Sequence, residues 1–280
     1  MATGVLPVFI GRATRASEFC ENAEKEYIAG LKPGIVTDTQ DITGNILNES
    51  EKLVTAEDLT AIVPQFLGAQ KQIPPMYSAI KQDGKKLYEL ARRGIEVSRP
   101  AREIFVTSID LLEDAGHDFL LRIVCSKGTY IRTICHDIGQ ALGSGAVMSS
   151  LRRTRAGMFT IDIAHKLDDI LAAASACDSS AGSAVETVAG SAVETGAVVL
   201  DKEGFLLPTD SIFMEFPAVK LSETEMRKLK NGAPCHMENL ADGTYRFYGL
   251  DNEFILLGEA RDNMVKTIKS FYAPARENKQ

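Results

Sequence analysis

The sequence predicts an α+β protein, in which a mixed or antiparallel sheet is flanked by helices and a small β-rich module follows at about residues 205–280. Strand-like and helix-like apolar periods alternate along residues 13–142. A run of small residues from Ala172 to Val199 then interrupts the pattern. Short apolar runs broken by glycine, such as TYRFYGL and EFILLGEA, come after it and are typical of small β-modules.

Most of the helices and strands can be predicted one by one from residue spacing. Apolar residues at helical spacing predict helices at 13–24, 56–68, 84–94 and 129–142, the last ending at Gly143. Extended apolar runs predict strands at 27–31, 103–112 and 118–126. The segment 145–159 is predicted to begin as a helix and to carry a cluster of basic residues towards its end. Pro7 leaves the structure of the N-terminal run VLPVFI open.

The segment 172–200 is predicted to be a flexible insertion between a larger domain, 1–171, and the C-terminal module. The string AGSAVET occurs at 181–187 and again at 189–195. Such a segment has no aromatic anchor and little to bury, so it cannot stabilise a fold of its own.

Composition places the chain among ordinary globular proteins. It is 45% hydrophobic and 25% charged over 280 residues. No apolar run approaches the roughly 18 residues of a membrane span, and no basic region precedes the N-terminal apolar run as in a signal peptide. Five scattered cysteines without a CxxC pair favour a reduced, cytoplasmic protein without structural zinc.

The distribution of charge is uneven. The formal net charge of −7 by itself disfavours a nucleic-acid partner. Residues 81–102, however, carry seven basic side chains against three acidic ones, and arginines cluster again at 152–155. Because a polyanion responds to the local field, composition leaves nucleic-acid binding and plain solvated helix faces equally open.

Common catalytic motifs are absent from the sequence. The four histidines lack metal-ligand spacing, and no phosphate-binding glycine loop occurs. Cys135 and His136 are neighbours on a predicted helix, so their side chains diverge and cannot form a nucleophile–base pair. A core cysteine beside a surface histidine is the better interpretation.

Four segments carry unusual residue combinations: KEYIAGL with TDTQD at 25–41, QIPPMYSAIKQDGKKLYELARRG at 72–94, SKGTYIRTICHDIG at 126–139 and GAVMSSLRRTRAGMF at 145–159. Arg132 falls in the first turn of a helix, against the macrodipole, and such an arginine usually pairs with an acid or a phosphate. A surface arginine is the equal alternative. Tyr27 taken alone favours a core strand aromatic. Tyr77 and Tyr88 among lysines suit an arm that grips a nucleic-acid backbone and stacks on bases.

Taken in order with the opening ATGVLPV, these segments resemble the tRNA pseudouridine synthases of the TruB type over nearly all of residues 1–169. The resemblance implies the pseudouridine-synthase fold with a PUA-like C-terminal module, and conversion of uridine 55 in the T-loop of tRNA to pseudouridine. No cofactor or metal is implied, and the partner is the T-arm of tRNA bound to a monomer.

The resemblance also implies roles for single residues. Tyr27 stacks on the flipped uracil and takes part in proton transfer, and Arg132 pairs with the catalytic aspartate. Tyr130 lines the same pocket, and Leu151 packs beneath the nucleotide. An arm at about 72–102 holds the T-arm through basic side chains, namely Lys81, Lys85, Lys86, Arg92 and Arg93.

One part of the family pattern precedes the sequence. In the family, the catalytic aspartate belongs to a Gly-x-Leu-Asp-Pro block and would stand two positions before Met1. Asp38 and Asp41 match the TDTxD turn and are expected to be structural. The chain as written is therefore expected to be inactive, with Arg132 lacking its partner, the catalytic aspartate. A non-catalytic tRNA-binding or tRNA-folding protein is the alternative.

Overall fold

The computed structural model describes residues 2–82, 84–180 and 204–272, and the chain forms two compact units. The first unit comprises residues 1–7 and 21–163, and the second comprises residues 8–20 and 164–280. The N-terminal segment 8–20 thus belongs with the C-terminal module, a grouping that the sequence did not indicate.

A mixed sheet of seven strands forms the frame of the first unit. The strands up to residue 163 are β1 (Ala2–Gly4), β2 (Lys25–Pro33), β3 (Ile35–Thr37), β4 (Ile46–Glu49), β5 (Gly68–Gln72), β6 (Lys81–Gln82), β7 (Lys85–Lys86), β8 (Arg102–Asp114), β9 (Phe119–Cys125), β10 (Ala146–Ala156) and β11 (Phe159–Thr160). The sheet runs in the order β1, β10, β2, β9, β8, β5, with β11 paired to β10. Only β1 is parallel to its neighbour; the other pairs in this sheet are antiparallel. The predicted α+β class with a mixed sheet is confirmed.

Helices α2 (Ala56–Ile62) and α4 (Ile131–Leu142) pack on this sheet and complete its core. The chain also forms α1 (Ser17–Asn22), whose residues fall partly in each unit, and α3 (Leu87–Ala91). Strand β9 buries Phe119, Leu121 and Ile123, which alternate along the strand and so share one face. Helix α4 adds Ile134 and Ile138 at i, i+4 to the same core. Each such side chain contributes roughly 1.5–3 kcal/mol by burial.

The helix ends follow from local chemistry. Helix α2 begins with a capping box, in which Thr55 and Asp58 each bond the other's backbone N–H. It ends at Ile62, earlier than predicted, because Pro64 lacks an N–H and the chain continues as a 3-10 turn before β5. Helix α4 ends at Gly143, as predicted, with φ of 71° at that residue.

Other predicted elements also differ from the structure. The helix expected over 145–159 is wrong, because this segment is strand β10, paired with β1 on one side and β2 on the other. Pairing with two neighbouring strands outweighs the modest helical pattern of this segment, because a central strand forms backbone hydrogen bonds along both of its edges. The helix expected over 84–94 begins only at Leu87, because residues 85–86 pair with residues 81–82 in a hairpin.

The second unit is built on a five-stranded sheet. Its described elements are α5 (Leu167–Ser180), β12 (Ala218–Lys220), α6 (Glu223–Lys230), β13 (Cys235–His236), β14 (Gly243–Tyr248), β15 (Phe254–Arg261) and β16 (Met264–Ser270). The sheet order is β12, β14, β15, β16, β13. The N-terminal segment joins an aromatic cluster here, where the rings of Phe19 and Phe213 meet edge-on with centroids 5.0 Å apart. A β-rich C-terminal module is therefore present, as predicted.

The segment predicted to be a flexible insertion begins inside a helix. Helix α5 continues to Ser180, and the tandem repeat at 181–195 lies outside the described residues. Within the parts of the chain that the structure describes, no helix combines the length and the apolarity needed to cross a membrane.

Candidate active site

Arg132 joins three of the four segments that the sequence analysis singled out. It is the second residue of α4, and its Nη1 lies 3.3 Å from Oδ2 of Asp41 and 3.5 Å from the carbonyl oxygen of Thr39. Its Nη2 donates to the carbonyl of Tyr77. The Arg132 and Asp41 side chains are about one-fifth exposed, at 19% and 20%. Of the two alternatives left open for this arginine, pairing with an acid is the one observed.

Asp41 is held as an anion. Its Oδ1 accepts from Thr39 Oγ1 at 2.9 Å, from Thr43 Oγ1 at 2.6 Å and from the Thr43 N–H at 3.1 Å. Burial would raise the pKa of this carboxyl, but the hydrogen bonds from Thr43 and Thr39 and the charge of Arg132 together lower it below its ordinary value. Arg132 was expected to lack its family partner, the catalytic aspartate, and the structure pairs it with a different carboxylate, Asp41. Asp41 stands 91 positions earlier in the chain, and only the fold brings it to Arg132.

The turn that carries Asp41 is fixed between α4 and β10. Gln40 adopts φ of 64°, a left-handed conformation, and its Oε1 accepts from Thr133 Oγ1 at 2.7 Å. Met148 N–H donates to the Gln40 carbonyl at 3.1 Å, and Ile42 N–H donates to the Met148 carbonyl at 3.0 Å. These bonds give Asp41 a defined place beside the first turn of α4.

Tyr130 stands at the N-cap of α4 and is positioned by a residue that the sequence analysis missed. The buried side chain of Gln72, at the end of β5, accepts from the Tyr130 N–H at 2.8 Å and donates to the Tyr130 carbonyl at 3.0 Å. Gln72 thus ties the start of α4 to the sheet. Its place two positions before the PPMYSA string was the one available signal.

Tyr27 and Leu151 lie on adjacent strands and project from one face of the sheet. Tyr27 on β2 is opposite Arg153 on β10, and Leu151 is opposite Ala29. Leu151 shares a face with Ala29 because the two are directly opposed, and Ala29 shares a face with Tyr27 because they are two positions apart on one strand. Tyr27 and Leu151 therefore lie on the same face. Both are partly buried against the main core.

The phenol of Tyr27 is kept protonated at neutral pH. Burial raises the pKa of Tyr27, the thiol of Cys125 adds to this effect, and Arg153 opposes both. Arg153 itself donates from Nε to the carbonyl of Val5 at 2.7 Å. A protonated phenol can donate a hydrogen bond to a polar ligand or supply a proton.

The predicted arm residues lie on a small hairpin and on the helix that follows it. Strands β6 and β7 place Lys81 opposite Lys86, and Lys85 lies at the turn. Arg92 and Arg93 follow the last residue of α3 and are exposed. In the second basic cluster, at 152–155, Arg155 forms an ion pair with Glu24 at 3.2 Å, so part of its positive charge is neutralised within the protein.

Other candidate groups are structural. Cys135 is fully buried, and burial raises the pKa of its thiol to about 12. It is the core cysteine that the sequence predicted. No group of three or more His, Cys, Asp or Glu side chains is placed to hold a metal ion among the described residues.

Known proteins match the chain along most of its length. The description "TruB family pseudouridylate synthase (N terminal domain)" matches residues 1–131, and "tRNA pseudouridylate synthase B C-terminal domain" matches residues 132–213. A tRNA pseudouridine synthase B from Chromobacterium violaceum is 38% identical over 264 residues, which cover 93% of this chain and 78% of that protein. The enzyme of the same name from Syntrophomonas wolfei is 37% identical over 273 residues, covering 96% of this chain and 83% of that protein.

Solved structures show the same fold at lower identity. A Cbf5-Nop10-Gar1 complex contains a chain that is 24% identical with a TM-score of 0.64, and the match covers 97% of this chain and 73% of that one. An H/ACA RNP bound to a substrate RNA containing 2'-deoxyuridine gives 22% identity and a TM-score of 0.63, with 97% and 73% covered. The fold, the ordered motifs and these relatives agree, and the chain belongs to the TruB family of pseudouridylate synthases.

Proposed function

We propose that this protein converts uridine 55 in the T-loop of tRNA to pseudouridine, and that the arm at about 72–102 holds the T-arm. The observation that carries the proposal is the junction at Arg132. There, the start of α4, the TDTQD turn and the MYSA segment meet through one guanidinium. Such a junction fits a site that must hold a carboxylate rigidly beside a flipped base.

The reaction breaks the bond between C1′ and N1 of uracil, turns the base, and joins C1′ to C5. The proton on C5 must leave, and N1 must end protonated. The target base has to leave its stack, at a cost of a few kcal/mol. In this proposal Tyr27 stacks on the flipped uracil, and its protonated phenol takes part in the proton transfer. Tyr130 lines the pocket, and Leu151, on the same sheet face as Tyr27, packs beneath the nucleotide.

Arg132 has the capacity to hold a second carboxylate. A guanidinium has five N–H donors, and the contacts with Asp41, Thr39 and Tyr77 leave donors unused. A bidentate pair with the family's catalytic aspartate would be the strongest use of them. Asp41 is committed to its own turn, so it serves to orient Arg132. A polypeptide of residues 1–280 alone is therefore proposed to bind tRNA without turnover.

Release of tritium from tRNA transcripts that contain 5-tritiated uridine tests this proposal. Two chains are compared: residues 1–280, and the same residues preceded by Gly-x-Leu-Asp-Pro. We expect release only from the longer chain, similar tRNA affinity for both, and no release from a transcript with cytidine at position 55. The transcript with cytidine 55 is the control for the site of modification.

The other outcomes separate the alternatives. Robust release by residues 1–280 alone would contradict the proposed need for the preceding aspartate. Tight tRNA binding with no release from either chain would favour the tRNA-binding or tRNA-folding protein instead. Release that persists with cytidine 55 would refute the assigned uridine.

A further inference from the structure

Two positively charged side chains lie close to the ring of Tyr88 on the arm. The centroid of its ring is 5.4 Å from Nζ of Lys86 and 5.4 Å from Cζ of Arg92. Its hydroxyl also accepts a hydrogen bond from Lys86 Nζ at 3.2 Å. A half-buried ring with two cations already over it is poorly placed to stack on a base, which is the role that the sequence suggested for it.

The backbone around Tyr88 is fixed. Its N–H donates to the Ser78 carbonyl at 3.1 Å, and its carbonyl accepts from the Arg92 N–H at 3.1 Å. The preceding residue, Leu87, is almost fully buried. The ring therefore has a defined position, from which it can order two long and otherwise flexible side chains.

The hairpin places further positive charge at the same end of the arm. Lys81 is directly opposite Lys86, and like charges that face each other across a strand pair destabilise it. Among the described residues, the acidic residue nearest to Tyr88 in sequence is Glu89, which lies on α3 and is exposed. A bound anion would relieve the repulsion between the lysines, and an already ordered cation pair loses less side-chain entropy when it binds.

We propose that Lys86, Arg92 and Lys81 form a binding site for a backbone phosphodiester of RNA, and that Tyr88 is the positioning residue that orders its cations. This inference rests on the proposed function, since it assumes that the arm holds tRNA. It divides the five predicted arm cations into two groups. Lys86, Arg92 and Lys81 belong to the phosphate site, whereas Lys85 and Arg93 contribute only to the general field.

Binding of an unmodified tRNA transcript to the 280-residue chain tests the inference without needing turnover. Two double variants remove the same charge: Lys86→Ala with Arg92→Ala, and Lys85→Ala with Arg93→Ala. We expect the first to weaken affinity about tenfold more than the second, and to reduce the slope of log affinity against log salt by up to about 1, the value for one neutralised phosphate. Equal effects of the two pairs would overturn the proposed site.

Variants of Tyr88 separate positioning from net charge. Tyr88→Leu keeps every charge, yet we expect it to weaken binding several-fold and to reduce the salt slope by about 1. Tyr88→Phe keeps the ring and should retain most of the affinity. Weaker binding with an unchanged salt slope would indicate base stacking instead, and wild-type affinity in Tyr88→Leu would also refute the inference. Hydrogen exchange of the arm amides checks that the variants keep the fold.

A variant with all five cations replaced by alanine tests the underlying assumption. If it binds tRNA like the wild type, the arm does not hold tRNA and the proposed function fails at that point. If it loses affinity while the two double variants behave alike, only the ordered phosphate site is refuted.

Discussion

At the scale of single residues, Arg132 occupies a position that a helix does not favour for a cation. The positive end of the α4 dipole lies at its first turn, where it repels the guanidinium by roughly 0.3–1 kcal/mol. Asp41 and two backbone carbonyls offset this repulsion. An arginine retained there against the dipole is therefore held by its partners, and its planar geometry matters as much as its charge.

We expect Arg132→Lys, in the chain preceded by Gly-x-Leu-Asp-Pro, to reduce turnover by about a hundredfold and to leave tRNA affinity nearly unchanged. Lysine keeps the charge but lacks the planar fork that can bind Asp41 and a second carboxylate together. A catalytic group misplaced by about 1 Å can cost on the order of a hundredfold in rate. Single-turnover tritium release and filter binding measure the two effects. A matched loss of affinity would mean that Arg132 serves binding instead.

A second prediction at this scale concerns Gln72. The change Gln72→Ala leaves the N–H of Tyr130 without its partner, whereas the Tyr130 carbonyl keeps the bonds that it accepts from the N–H groups of Thr133 and Ile134. We expect the free energy of unfolding of the first unit to fall by about 1–3 kcal/mol, which is the usual cost of one buried, unpaired polar group. Amide exchange at Tyr130 should accelerate.

The matched control is Gln70→Ala on the same strand. The Gln70 amide donates to the carbonyls of Gln65 and Leu67 near the surface, where water can replace it. Its loss should cost about 1 kcal/mol or less. Equal costs at the two positions, measured by urea unfolding, would remove the special role given to Gln72.

At the scale of elements, α4 is set by its close approach to the start of β10. Gly139 lies so near the strand that a Cβ atom built on it would be 2.1 Å from the backbone nitrogen of Ala146. The Gly145 N–H also donates to the Gly139 carbonyl at 2.9 Å. This contact fixes how α4 lies on the sheet, and through α4 it fixes where Arg132 points.

We expect Gly139→Ala to lower the free energy of unfolding by about 1–3 kcal/mol through overpacking. Helix propensity alone would predict the opposite sign, a gain of about 1 kcal/mol. Urea unfolding of this variant, beside Gln140→Ala on the exposed side of the same helix, decides between the two effects. Stabilisation by Gly139→Ala would show that the helix can move away from the strand without cost.

At the scale of the whole molecule, the distribution of charge governs both RNA binding and acid stability. In the proposed function, a chain of net charge −7 binds a polyanion because several cations lie together on the arm. Within the first unit, Asp41 and Glu24 are paired carboxylates whose pKa values are lowered. For Asp41 the hydrogen bonds and Arg132 outweigh burial, and for Glu24 the bond from Thr107 is the main cause.

These lowered pKa values predict that the first unit loses stability in acid. A carboxylate with a depressed folded pKa stabilises the fold above its unfolded pKa, and this stability is lost as pH falls through the folded value. We expect the free energy of unfolding to fall as pH drops below about 4.5, with a smaller fall in Asp41→Asn. Urea unfolding at stepped pH, followed through NMR signals of β9, measures it. An equal fall in wild type and variant would show that Asp41 contributes nothing to the acid response.

The sequence by itself determined the family, the α+β class, the β-rich C-terminal module and most of the elements. Local patterns suffice for these, because helix spacing, a capping box or a terminal glycine acts within a few residues. The largest discrepancy was β10, where pairing with two neighbouring strands replaced the predicted helix. Strand pairing is non-local, so a single segment does not reveal it.

Only the tertiary structure decided the contacts of the site. The Asp41–Arg132 pair spans 91 positions and the Gln72–Tyr130 pair spans 58. Sequence marked Arg132 and Tyr130 as notable but could not identify their partners. The grouping of residues 8–20 with the second unit was equally invisible. Hydrogen bonds and ion pairs require atoms within a few ångströms, and distance along the chain says little about distance in the fold.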